Sequence, residues 1–337
     1  MFRKVNEFRR YMKNRDAMAA ALVPDEAVVA DAPMPGLAPA MEAAVAGDHA
    51  PAADLLASTH RRRAWDDRSH AVDLLARMSL RTPQWLDAWE TEAGPDDPAP
   101  LVVRSALGLN SAWEHRTRER AENVSQEQFK AFHATLGDTT DTLQRAVDRT
   151  DDDPEPWRLG LIHARGLEAP PEVWQGYVSA LREIDPWHHG GLRAALELQT
   201  AKWFGSHEQA YDVAFGLAAE APADSRVRTL PLDAVFEHAV ADGAEDVARA
   251  GRAEEAIALT TGWLAQADPE RYHVVAVHRG VLAATLMLLG RFDESFDEFV
   301  ALGPHATRYP WGYWADDPRE GFLRFRSAVS VKAAGRK

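Results

Sequence analysis

Histidine is the residue type left to weigh for chemistry once the common motifs are set aside, and cysteine is absent. Thiolate nucleophiles, disulfides and Cys-ligated zinc or iron–sulfur sites are thereby excluded. The stretch Ala201-Lys-Trp-Phe-Gly-Ser-His-Glu-Gln-Ala-Tyr-Asp-Val-Ala214 crowds Lys202, Trp203, Phe204, His207 and Glu208 together, and Trp187-His188-His189 lies shortly before it. Imidazoles act as acid/base groups near neutral pH or as metal ligands. If His188 opens one helix and His207 opens its antiparallel partner, they stand at opposite ends of a helix roughly 22 Å long at 1.5 Å per residue. They cannot then share an ion, and a site needs His163 or His133 from another hairpin. His273 and His278 are five apart, off the four-residue step that puts two ligands on one helix face. Asp151-Asp152-Asp153 lacks the spaced oxygens and closing Glu of a calcium loop. No metal, no cofactor and no catalytic residue is therefore expected.

The common site grammars are missing too. The sequence holds no phosphate-binding Gly-x-x-x-x-Gly-Lys-Ser/Thr, no Gly-x-Gly-x-x-Gly, no His-Glu-x-x-His and no Gly-x-Ser-x-Gly. Strand-like alternation is scarce, so the chain reads as all-α.

The elements that must position these residues announce themselves by their ends. Asp97-Pro98, Asp153-Pro154, Asp185-Pro186, Asp268-Pro269 and Asp317-Pro318 each precede an apolar helical run. Asp accepts from free first-turn N–H groups, and Pro at the next position lacks an N–H that would go unpaired. Thr82-Pro83 does the same before Trp85, Leu86 and Trp89, and Ser125 with Gln128 has capping-box spacing. Gly166, Gly205, Gly251 and Gly290 recur at intervals of 39, 46 and 39 residues, the length of two helices and two turns. In that frame Gly205 ends a helix with a left-handed cap, His207 and Glu208 start the next, and Trp203 and Phe204 pack between hairpins.

The glycine, the acidic entry and the closing Pro of each unit (Gly205 to Pro222, Gly290 to Pro304) resemble tetratricopeptide repeats over residues 140 to 310, with intervals longer than the usual period of about 34. Trp85-Leu-Asp-Ala-Trp89, Lys202-Trp-Phe-Gly-Ser-His-Glu208, Glu237-His238 and Pro310-Trp-Gly-Tyr-Trp314 also resemble an actinobacterial helical-repeat family carried as a domain of unknown function. The resemblance implies an all-helical fold and no activity.

The expected architecture is a right-handed α-solenoid of five or six stacked hairpins. Residues 1–23 form a basic amphipathic helix with Phe2, Val5, Phe8 and Met12 on one stripe, and 24–51 a Pro/Ala-rich linker with room for a short helix at Pro39 to Gly47. Residues 52–309 form the repeat domain, and 310–337 an aromatic cap in which Tyr309 to Trp314 seals the last hairpin against Phe322 and Phe325. The net charge of −14 repels phosphate backbones, so no nucleic acid partner is expected. Neither a signal peptide nor a membrane span is read, and the absence of cysteine fits the cytoplasm. The functional expectation is a non-catalytic scaffold binding another protein or a basic peptide, with Trp157, His163, Trp187, His188, Lys202 and His207 at the groove or rim. The alternative is an enzyme or small-ligand protein using His163, His188 or His207 in a pocket between repeats.

Overall fold

The computed structural model describes residues 16–95, 97–116 and 124–335. The stripe of residues 2–12 lies outside them, and residues 16–21 are helical. The described chain is all-α, with only two two-residue strands among the described residues. It divides into two compact units: Met34–Gln199, and a second in which the described part of Met1–Pro33 joins Thr200 onward.

The first unit holds α1 (Leu37–Val45), α2 (Ala50–Arg61), α3 (Trp65–Ser79), α4 (Gln84–Ala93), α5 (Pro98–Arg116), α6 (Gln126–Asp148), α7 (Glu155–Gly166), α8 (Pro171–Ile184) and α9 (His189–Leu198). The supposed linker is thus partly a core helix. Leu37, Ala40 and Ala44 of α1 are buried at three- and four-residue steps. Alanines carry that stripe with little bulk, which is why it reads weakly as periodicity. α5 and α6 make the longest pairing, and Gly108 lets them approach, since an added Cβ there would collide with Thr139. Leu56, Val72, Leu75, Trp85, Leu86, Val102, Leu136 and Leu159 form the centre of this core.

The second unit holds β1 (Val29–Ala30), α10 (His207–Glu220), α11 (Leu230–Asp242), α12 (Ala244–Ala250), α13 (Ala253–Leu264), α14 (Tyr272–Leu288), α15 (Phe292–Leu302), β2 (His305–Ala306), the short α16 (Arg308–Trp311) and α17 (Pro318–Ala334). α10 packs on α11, α11 on α14, α14 on α15 and α15 on α17. β1 pairs in parallel with β2, Val29 opposite His305. Arg326 of α17, almost fully buried, is ion-paired to Asp25. The aromatic stretch does seal its unit: Trp311 lies 5.4 Å from Phe322, and Trp314 4.4 Å from Phe325.

The Asp-Pro pairs behave as one device with two outcomes. In all five, the Asp carboxylate accepts from the N–H two residues on, at 2.9 to 3.1 Å. At Asp97, Asp153 and Asp317 the helix follows at once. At Asp185 and Asp268 the turn closes first, and the helix begins at His189 and Tyr272. The Ser125–Gln128 capping box is complete in both directions. Thr82 does not cap: its hydroxyl donates to the Met78 carbonyl, back into α3. Gly251 and Gly290 are left-handed caps, with φ of 71° and 76°. Gly205 is not: α9 stops at Leu198, and the Gly205 N–H donates to the Thr200 carbonyl in a turn.

Candidate functional site

Histidines and charges gather at one place in each unit. In the first unit, Asp153 and Glu155 stand at the start of α7, both essentially buried. Arg68 of α3 donates through Nε to Asp153 at 2.7 Å and through Nη1 to the Leu56 carbonyl at 2.8 Å. Ser69 donates to Glu155 at 2.5 Å, and Arg158 binds Glu155 while reaching Asp73 at 2.6 Å. Burial opposes the Arg158 charge, but Asp73 and Glu155 outweigh it and hold the guanidinium above its ordinary value. This network ties α3 to α7.

His188 abuts that network. Its Nδ1 accepts from the Gly191 N–H at 3.0 Å, making it the N-cap of α9. That bond requires an unprotonated Nδ1, so the proton sits on Nε2, which has no hydrogen-bond partner among the described residues. Burial holds its pKa below 6.5 against the fields of Glu155, Asp66 and Asp185. His163 is also interior, its Nε2 2.9 Å from the Leu136 carbonyl, and burial lowers its pKa. Both histidines are therefore buried inside the first unit. Trp157 packs on Tyr177 with ring centroids 5.8 Å apart, and Trp187 is half-buried under Arg182.

The second unit holds Lys202 and His207. Lys202 is exposed, with its ammonium 5.3 Å from the Tyr313 ring centroid, and Tyr313 donates to Glu237. Phe204 is 46% exposed, contrary to its expected packing between hairpins. The early end of α9 leaves residues 199–204 in turns, and Phe204 faces out.

His207 has partners that the hairpin frame does not name. It opens α10 behind the N-cap Ser206, with Tyr211 one turn further on. His238 and Asp242 lie four apart at the end of α11, and Asp246 four further on in α12, beyond Gly243 at φ 83°. The rings of His207 and His238 stack at 3.7 Å, 13° from parallel. His207 Nε2 lies 2.7 Å from Asp242 Oδ2, His238 Nε2 3.0 Å from Asp246 Oδ2, and His238 Nδ1 2.8 Å from the Tyr211 hydroxyl. An ionised Asp246 only accepts, so His238 Nε2 donates, and with the ring in its neutral form Tyr211 donates to Nδ1. Hydrogen bonds from His238 and then Arg249 hold the Asp246 carboxyl below its usual range, and burial pushes the Tyr211 hydroxyl up to about 12.

The sequence did carry a signal for this cluster. His207-x-x-x-Tyr211 and His238-x-x-x-Asp242 are four-residue steps on α10 and α11, and Asp246 follows four further on, across Gly243. A search for histidine pairs alone passes over it. His163 and His133 lie in the other unit, in α7 and α6. Chemically, the cluster offers two imidazoles and a carboxylate to one centre, with a further carboxylate and a phenol behind them.

No family model, no curated protein and no solved structure matches the chain. No helix among the described residues is long and apolar enough to cross a membrane.

Proposed function

We propose that the chain is a non-catalytic scaffold, its helical hairpins stacked as a tetratricopeptide-like solenoid, which binds a basic segment of another protein in the cytoplasm. The turn from α7 into α8 supports this reading. Leu167 and Val173 are 41% and 38% exposed there, beside the exposed Glu168 and Glu172. They lie in a unit with 17 Lys and Arg against 27 Asp and Glu, a net −10 of the chain's −14. Apolar contact supplies affinity, and the acidic field speeds encounter with a basic segment.

The test is crosslinking of the full chain in its source cells, followed by mass spectrometry. A single partner crosslinked at 167–173, released by salt and lost in a Leu167→Ser/Val173→Ser variant that melts like the parent, is the expected result. Crosslinks elsewhere, or binding indifferent to salt and to the variant, would overturn it. A small-ligand or enzymatic reading is favoured by one observation, the convergence of His207 and His238 with Tyr211, Asp242 and Asp246.

A further inference from the structure

We propose that His207, His238 and Asp242 form a binding site for one divalent first-row transition ion, of the class that accepts two imidazoles and a carboxylate. The site lies wholly within the second unit and does not depend on a bound partner. One ligand atom from each residue lies within 4.8 Å of the other two. Ligands held about 2.0 to 2.2 Å from such an ion stand roughly 3.3 Å apart in a tetrahedral site, a closure within the reach of side-chain rotation. The stacked rings aim their nitrogens side by side, so convergence on one ion turns one imidazole about its Cβ–Cγ bond.

Three features favour a cation here. Asp242 is the last residue of α11, where the helix dipole is negative, and no basic side chain occupies that last turn. Asp246 adds a second carboxylate beside His238. Tyr211 provides what a metal-bound imidazole needs at its far nitrogen: when His238 ligates through Nε2, its proton sits on Nδ1 and is donated to the phenol oxygen. Nitrogen and oxygen donors without sulfur match Zn²⁺, Fe²⁺ or Mn²⁺, and three protein ligands leave a position for water or a partner's side chain.

The arrangement also separates its members usefully for a test. His238 is buried at 3% exposure, whereas His207 and Asp242 are reachable, with side chains 22% and 53% exposed. Substituting the latter two leaves the core intact.

The chelator-treated full chain is titrated with Zn²⁺ by calorimetry, and with Co²⁺ while its visible ligand-field bands are followed. One equivalent should bind. His207→Ala and Asp242→Asn should each weaken binding by more than the roughly 10- to 100-fold expected from losing a supporting partner. His60→Ala, in the other unit, should bind like the parent. Long-range ¹H–¹⁵N spectra of the unaltered chain give a reading independent of any variant: Zn²⁺ should shift the ring nitrogens of His207 and His238 and no others. No binding at a hundred micromolar Zn²⁺, equal binding by all variants, or shifts confined to other histidines would overturn the proposal.

Discussion

At the scale of single residues, the buried charges of the first unit make the sharpest claims. Arg158 neutralises Glu155 where water cannot, so removing one partner strands the other. Arg158→Ala should cost about 3–5 kcal/mol, read from urea denaturation. Ser69→Ala removes one neutral donor from the same carboxylate and should cost about 1–3 kcal/mol. His188 contributes a pH dependence whose sign follows from its buried neutral form. Its folded pKa is below 6.5, so the unfolded chain takes up the proton first. The stability it provides is fully present above 6.5 and is lost as the pH falls through the lower folded value. His188→Ser keeps a capping oxygen and removes the titrating group, so denaturation midpoints of this variant should fall less steeply than the parent's below pH 6.5.

At the scale of elements, the glycines separate two kinds of position. Gly251 and Gly290 end their segments with left-handed backbone, and alanine at either should destabilise by about 1 kcal/mol or more. Gly176, Gly216 and Gly262 lie inside α8, α10 and α13 with nothing within 4 Å of an added Cβ. Alanine there should stabilise by about 0.4–1 kcal/mol each, measured as increments in melting temperature. Much of this level was legible in the sequence. The capping box, the Asp-Pro turns, the aromatic seal and two of the four frame glycines act as their spacing implies. Gly205 does not, because a glycine before a helix fits a loose turn as well as a left-handed cap, and only the length of α9 distinguishes them. The partners of His207 were legible only as separate four-residue steps on two helices. They depend on which helix α10 packs against, and spacing along the chain does not encode that. α1 was legible only as a short helix from Pro39 to Gly47 within a linker, since an alanine face buries well and contrasts little with its surroundings.

At the scale of the whole molecule, the second unit is assembled from both sides of the first in sequence. The Val29 N–H donates to the Pro304 carbonyl and the Asp31 N–H to that of Ala306, each at 2.9 Å. Val29→Pro deletes one of these donors. Hydrogen exchange should then quicken at residues 29–31 and 305–306, while the core amides of Met34–Gln199 keep their protection.

This pairing of β1 with β2 also sets a timetable during synthesis. Asp31 waits for Arg308, 277 positions further along the chain, before it can accept that backbone N–H. At roughly 5–20 residues per second the wait is about 14–55 s. The first unit's sequence is complete at Gln199, 168 positions into that wait, while the second still lacks the residues that pair with its opening strand. Residues 34–199 are thus free to mature first, and residues 304–308 close the unit that residues 29–31 began.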